Sequence, residues 1–261
     1  MPNGLAMWPK SDGPWGEEHA EAFARDFLEI AGYEDAHSAK VEAIGGVAFN
    51  SVATPLKEVT FTKHRKVWLN MRGYVTNFWD ERPQAKGAFY FKSENEARNR
   101  IGEIAKRLGL LKEQQREFAY NPPGKHPNGY VGVGAHYAVP VNGLPVFGGG
   151  EVDIQLDPVT GSMKYYAADR DFIVEKSEHR ISRGRAAALA RTETDKKYGG
   201  EAEISEEPEL GYVVLPGQKV PPYRIRLAWE VGLRNTLPYS VVVDAQSGKA
   251  IGWKDSALRM P

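Results

Sequence analysis

The most constraining feature of the chain is its C-terminal stretch, from Leu227 to Asp255. Apolar residues such as Trp229 and Val231 alternate there with small or polar ones, which is the period of a strand with one buried face. Residues 239–243 repeat the alternation, and Asp244 to Gly248 has the composition of a tight turn before a third strand. The stretch therefore predicts an antiparallel meander.

Two weaker copies of this pattern lie upstream. Residues 151–165 alternate in the same way around a turn from Asp157 to Gly161. Residues 67–78 do so around a shorter turn that ends at Gly73. We therefore predict that the chain repeats one kind of hairpin, with two well-formed copies and one degraded copy.

Helical periodicity precedes each set of strands. Apolar residues at helical spacing begin near residues 17, 93 and 182, and Ser93 with Glu96 has the spacing of a capping box. A helix followed by strands, repeated along the chain, is typical of small α+β units. The sequence predicts an α+β protein of tandem units, each a helix packed on an antiparallel sheet, with an extended lead-in before the first helix. The predicted domains are 1–88, 89–175 and 176–261.

The composition excludes several classes of function. The net charge is zero, so nothing favours a nucleic-acid partner, and we interpret the basic run Lys63 to Lys66 as solvated surface. Cysteine is absent, which excludes disulfides and thiolate sites. No run is apolar enough for a membrane span, and the N-terminus lacks the pattern of a signal peptide. The chain is therefore either cytoplasmic or an exported protein from which a leader has been removed.

No catalytic signature is complete in this chain. The HExxH zinc motif, the GxSxG elbow, the Ser-x-x-Lys pair and both glycine-rich phosphate motifs are missing. No histidines lie four apart on a predicted helix, as zinc binding would require. We therefore predict a protein that is not an enzyme, with no cofactor and no metal.

Two sets of residues leave an alternative open. His136 lies in a predicted strand, where a hydrogen-bonded histidine is favoured over a ligand or a general base. Glu151, Asp153 and Asp157 are close enough in sequence to hold calcium, but the polar face of one strand gives the same spacing. We favour the structural interpretation for both sets.

The aromatic residues divide by their position. Trp229 and Trp253 fall on inward strand positions and are predicted to pack in the core. Trp8 and Trp15 lie in the N-terminal segment rich in proline and glycine, either as a contact for a partner or carbohydrate or as a lid over the first sheet.

Two passages resemble known families. Val141 to Tyr166 has a "GxPVxGG…V…D…G" pattern, formed by Gly143, Pro145, Val146, Gly148, Gly149, Asp157 and Gly161. With this pattern it resembles the fungalysin–thermolysin propeptide domain. The end of the chain has Trp229, Val243, Asp244, Gly248 and Trp253 in places that resemble those of the PepSY domain.

The resemblance implies a cystatin-like architecture, in which a helix crosses a curved antiparallel sheet. It also implies a secreted or cell-envelope module that inhibits a peptidase, such as a thermolysin-like metalloprotease, or captures peptide segments. The peptidase itself is not on this chain, because the zinc motif is missing, and residues 1–90 match the families only in the order of helix and strands. We predict that the partner contacts Leu144, Pro145 and Phe147 in the loop 142–147.

Two other functions stay open. One is a small-ligand-binding protein or an enzyme that uses a pocket between helix and sheet. The other is a structural protein of envelope assembly.

Overall fold

The computed structural model describes residues 16–49, 52–70, 73–83, 86–124, 131–199, 202–215, 217–218, 222–234 and 239–254. These residues fall into two compact units, the first within 1–139 and 151–169 and the second within 140–150 and 170–261. The division into three domains at residues 88 and 175 stays a prediction. Trp8 and Trp15 lie outside the described residues. None of the described helices is long and apolar enough to cross a membrane.

The described elements are helices and strands in an α+β arrangement. The helices are α1 (Glu17–Ile30), α2 (Glu94–Arg107) and α3 (Arg183–Tyr198). The strands are β1 (Val41–Phe49), β2 (Val52–Phe61), β3 (Arg65–Leu69), β4 (Val75–Asp80), β5 (Gln115–Asn121), β6 (Gly132–Ala138), β7 (Val146–Phe147), β8 (Glu151–Leu156), β9 (Met163–Ala168), β10 (Phe172–Val174), β11 (Glu203–Ile204), β12 (Glu209–Val214), β13 (Tyr223–Arg234), β14 (Ser240–Asp244) and β15 (Ala250–Lys254).

The first unit contains one eight-stranded antiparallel sheet in the order β1-β2-β3-β4-β9-β8-β6-β5. Helices α1 and α2 pack on it through a single apolar core. In α1 the buried residues Ala20, Ala24, Phe27 and Leu28 recur every three or four positions, which is the spacing of one helix face. The predicted helix-on-sheet fold is confirmed.

The start of α2 agrees with the capping prediction. The Ser93 hydroxyl accepts a hydrogen bond from the Glu96 backbone N–H at 3.2 Å. The Glu96 carboxylate accepts in turn from the backbone N–H of Lys92 at 2.8 Å. These bonds satisfy two backbone donors near the helix start, so the helix begins where the sequence predicts.

The second unit has a sheet in the order β15-β14-β13-β12-β7, and β10 and β11 pair with the two ends of β13. Helix α3 packs on this sheet through Ala186 and Ala190. Trp229 is buried in the same core, as predicted, and its indole Nε1 donates to the carbonyl oxygen of Ile181 at 2.7 Å. Trp253 is half-buried against this core.

Two hairpins turn through the same arrangement of hydrogen bonds. Asp157 Oδ1 accepts from two backbone N–H groups in the β8–β9 turn, which ends at Gly161 with φ of +68°. Asp244 Oδ1 does the same in the β14–β15 turn, which ends at Gly248 with φ of +76°. Glycine adopts this left-handed conformation at no steric cost, so the Asp and Gly positions together specify the turn.

The third hairpin, β3–β4, is one residue shorter. Asn70 takes the place of the aspartate, and its Oδ1 accepts from the Tyr74 N–H at 2.9 Å. Gly73 has φ of +78°. A register shift lies just before the turn in the ladder of this hairpin, as it does in the other two. That all three descend from one repeated unit stays a prediction.

The interpretation of the basic run as solvated surface is wrong for one of its members. Arg65 is only 4% exposed, because it points to the helix-bearing face of the sheet together with Val67 and Leu69. Its guanidinium donates to both carboxylate oxygens of Asp35, at 2.8 and 2.7 Å. A buried guanidinium is tolerated where a carboxylate pairs with it in this bidentate way.

Candidate functional site

The candidate site lies on the outward face of the eight-stranded sheet, opposite the face that carries the helices. Alternation places the side chains of Glu117 and Ala119 on this outward face of β5, because Phe118 and Tyr120 pack against the core. Of the described strands, β5 pairs with β6 alone, so no described strand occupies its other edge.

A pocket of about 200 Å³ opens beside this edge. The space exists because two small residues, Ala119 and Gly134, lie directly opposite each other on β5 and β6 and form the floor of the pocket. A Cβ atom on Gly134 would lie 3.2 Å from the carbonyl oxygen of Ile154, so the backbone of the neighbouring strand β8 crowds that position. The lining residues are Glu117, Ala119, Gly134, Ala135, His136, Asp153, Ile154 and Gln155.

A histidine–carboxylate pair forms one wall of the pocket. His136 Nδ1 lies 2.9 Å from Asp153 Oδ1, and the two residues are directly opposite each other on β6 and β8. The imidazole is 27% exposed and the carboxylate 46%. The prediction of a hydrogen-bonded strand histidine is confirmed.

The pocket carries more acidic than basic groups. Glu117 lies opposite His136 on the neighbouring strand, so that the two carboxylates, Glu117 and Asp153, flank the imidazole. Apart from His136, the described residues that line the pocket include no basic side chain. The arrangement suits a cationic group more than an anionic one.

The calcium alternative for Glu151, Asp153 and Asp157 finds no support. Asp157 uses its Oδ1 to accept two backbone N–H groups of its turn. Among the residues that the structure describes, no three His, Asp or Glu side chains form a group that could hold a metal ion. The prediction that the protein binds no metal stays a prediction.

An exposed aromatic pair lies farther along the same face. Trp79 on β4 is 51% exposed and meets Tyr165 on β9 edge to face, with ring centroids 5.8 Å apart. Both residues pair directly across the two strands. Such a pair offers apolar area to a partner that lies along the outward face.

The predicted contact residues occupy a different environment in the second unit. Phe147 is 7% exposed, and its ring packs over Gly211 of β12. Leu144 is half-buried beside the small cluster that includes Tyr212 and Ile225. Pro145 is half-buried, and its carbonyl oxygen accepts from the Tyr212 N–H at 2.8 Å. The role of the three as a partner contact stays a prediction.

A second pocket, of about 410 Å³, runs along α2 and the loop before it. Asn95, Asn99 and Arg100 line it from the helix, and Tyr90 lines it from the loop. None of its described lining residues belongs to a strand, so this pocket is not the space between helix and sheet that a ligand-binding function was expected to use.

Asp169, just after β9, has a carboxyl group whose surroundings disfavour its charged form. Its Oδ1 is buried without a hydrogen-bond partner among the described residues. Burial, together with the nearby carboxylate of Glu151, raises the pKa of Asp169 to about 6. The charged form therefore costs stability at neutral pH.

We expect Asp169→Asn to stabilise the protein at pH 7 by about 1 to 2 kcal/mol, a figure reduced for partial solvent screening. A carboxyl whose pKa is raised on folding contributes stability below its ordinary pKa of 3.8 and loses it as the pH rises through about 6. The gain of the variant should therefore disappear below about pH 4. Thermal unfolding of the variant and the unmodified chain at pH 7 and below about pH 4 measures this gain in stability. An equal gain at both pH values would contradict the raised pKa of Asp169.

Sequence reasoning found His136 and Asp153 but missed their neighbours in the pocket. No sequence motif includes Glu117, Ala119 or Gly134. These residues come together only through the register of β5 and β6, which pairs Ala119 with Gly134.

The comparisons with known proteins give a distant structural likeness. A scan of protein-family models and a search of curated proteins each found no match to this chain. A search of solved structures found similarity to the C-terminal domain of YpeB from Bacillus megaterium, at 14% identity and a TM-score of 0.45. The similarity covers 92% of this chain and 97% of that one. It is too distant to carry an argument about function.

Proposed function

We propose that this chain is a non-enzymatic, extracytoplasmic module of the PepSY or propeptide type that captures an extended peptide segment. The observation that carries the proposal is the edge of β5 that no described strand occupies, beside the pocket on the outward face. An open edge offers a row of backbone donors and acceptors to an added strand.

The geometry of strand addition explains why the pocket lies where it does. An added strand runs about 4.8 Å from β5, and its alternate side chains point to the outward face. Those side chains fall next to Glu117 and Ala119, at the mouth of the pocket. Backbone hydrogen bonds would supply affinity, and the pocket would supply specificity.

The composition of β5 fits an edge that is used. Natural edges are commonly blocked by proline, by a bulge or by a covering element. Strand β5 has no proline, and its only irregularity is a register shift near its start, between Gln115 and Glu117. From Glu117 to Asn121 its pairing with β6 is regular, which leaves a straight stretch of edge for a partner.

The proposed partner is a peptidase-derived segment, following the resemblance to propeptides of thermolysin-like metalloproteases. The loop 142–147 is kept as a second proposed contact. Because Phe147 is buried, Leu144 and Pro145 would supply its accessible surface. A partner would have to engage these two half-buried residues, because the Phe147 ring packs over Gly211.

The test uses a short, capped peptide of alternating Thr and Val, with fluorescence anisotropy as the readout. Strand addition predicts that N-methylation of one alternate set of peptide amides weakens binding by at least about tenfold, since two or more hydrogen bonds are lost. N-methylation of the other set, whose amides face away from β5, should have little effect. Hydrogen exchange should slow in β5 on binding and stay unchanged in β15.

The protein is then assayed as an inhibitor of a panel of thermolysin-like peptidases, with and without the peptide as a competitor. Competition would connect the edge with the peptidase. Equal losses from both N-methylated sets, or slowed exchange in β15 in place of β5, would show that the proposed edge is not the binding site.

A further inference from the structure

We infer that the captured segment presents an arginine or lysine side chain to the pocket formed by Glu117, Ala119, Gly134, His136 and Asp153. This inference rests on the proposed function, since it specifies the side chain that an added strand would place there. Three features carry it: the distance from an added strand to Gly134, the charge of the residues that line the pocket, and the contact between His136 and Asp153.

The distance across the strands selects a long side chain. The floor at Gly134 belongs to β6, which is two strand spacings, or about 10 Å, from an added strand beyond β5. A side chain must therefore pass over Ala119 before it reaches Gly134. Neither residue blocks the way, because alanine has one side-chain carbon and glycine has none. Short side chains such as Ser or Val would leave the space over Gly134 empty.

The charge of the walls selects a cation among the long side chains. The carboxylate of Glu117 makes no ion pair with any described residue, and the contact of Asp153 with His136 is an ion pair only when the imidazole is protonated. A glutamate of the peptide would face two carboxylates, while a methionine or glutamine would leave their charges uncompensated. The charge of an arginine or lysine that lies over Gly134 would be next to the row of Glu117, His136 and Asp153, where both carboxylates attract it.

The histidine adds an acceptor. In the tautomer whose Nδ1–H donates to Asp153, the Nε2 of His136 is a hydrogen-bond acceptor. The Asp153 contact also restrains the imidazole ring. A guanidinium lying over Gly134 could then donate to Nε2 as well as to the carboxylates, which favours arginine over lysine.

The experiment compares four peptides that differ only at the central residue: Arg, Lys, Gln and Glu. We expect the Arg and Lys peptides to bind about tenfold more tightly than the Gln peptide, with Arg the tighter of the two and the Glu peptide weakest. The variants Glu117→Gln and Asp153→Asn should each reduce the preference for Arg over Gln and leave the affinity of the Gln peptide nearly unchanged.

Glu151→Gln is the matched control, because Glu151 lies on the outward face of the same strand as Asp153 but does not line the pocket. It should leave the preference unchanged. Melting temperatures of all three variants verify that the fold is intact, which is expected at exposed or half-exposed positions.

The outcomes separate the two hypotheses. Equal binding of all four peptides, with the N-methylation pattern of strand addition, would overturn the basic side chain and leave peptide capture standing. A preference for Gln or Glu would do the same. Absence of binding by every peptide would overturn both.

Discussion

Replacing Asp35 with alanine is expected to lower the free energy of unfolding of the first unit by about 3 kcal/mol. The reason is the charge that it leaves behind. Arg65 is 4% exposed, its Nε has no hydrogen-bond partner among the described residues, and its guanidinium lies 4.6 Å from the centre of the Tyr33 ring. Without the bidentate partner, a buried cation is left uncompensated.

The matched variant is Arg65→Met, which removes the buried charge and keeps an unbranched apolar side chain. Asp35 is 51% exposed and can return to water, so we expect a cost of about 1 kcal/mol. The double variant should resemble Arg65→Met alone. Native-state hydrogen exchange of the β2–β4 amides measures all three. Equal and additive costs for the two single variants would contradict the explanation.

The same pair has a pH dependence with a defined sign. The hydrogen bonds from Arg65 lower the pKa of Asp35 below its ordinary value of 3.8. A carboxyl whose pKa is lowered on folding contributes stability above its ordinary pKa and loses it as the pH falls through the lowered value. The difference between Asp35→Ala and the unmodified chain should therefore shrink in acid.

The helices and hairpins could be predicted from the sequence because their signals are local. Ser93 lies three residues before Glu96, and Asp157 and Asp244 each lie four residues before a glycine. Capping boxes and Asx turns are interactions within one turn of chain, so their residue types identify them without tertiary information. The structure places a helix start and two hairpin turns at these positions.

Arg65 shows how a local signal can mislead. Four basic residues in a row indicate a solvated surface, but Arg65 also shares the alternation of Val67 and Leu69, which points it inward. The decision between the two depends on Asp35, thirty residues earlier in the chain, which supplies the compensating charge. Sequence alone does not indicate that this carboxylate is within reach.

The candidate site could be predicted only in part, for a similar reason. His136 and Asp153 could be predicted as strand positions, but the pocket needs the register that pairs Ala119 with Gly134. The burial of Phe147 likewise depends on β7 pairing with β12, across more than sixty residues. Pairings between distant strands leave little trace in a single sequence.

The second large effect is expected in the β14–β15 turn. Asp244 is 1% exposed, and its Oδ1 accepts from the N–H groups of Gln246 and Ser247 and from the Ser247 hydroxyl. Its Oδ2 lies 3.4 Å from Arg226 Nη1. Asp244→Ala should lower the free energy of unfolding of the second unit by about 3 kcal/mol, because it removes these bonds together in a buried position.

Asp157→Ala is the control within the same chain, since Asp157 accepts two N–H groups in the corresponding turn but is half-exposed. We expect a cost of about 1 kcal/mol there, because water can replace the lost acceptor. Hydrogen exchange of the β13–β15 amides measures the stability lost in Asp244→Ala, and that of the β8–β9 amides measures the stability lost in Asp157→Ala. Similar costs at both positions would mean that the turn alone, and not its burial, determines the loss.

The charge of Asp244 can be isolated with Asp244→Asn. Burial by itself would raise the pKa of this carboxyl, but the hydrogen bonds from Ser247, Gln246 and Arg226 outweigh burial and lower it. Its contribution is thus present above the ordinary value of 3.8 and lost as the pH falls through the lowered pKa. Asp244→Asn should be less stable than the unmodified chain at pH 7, and the gap should narrow in acid. A gap that does not change with pH would show that shape and hydrogen bonding hold this turn, without help from the negative charge.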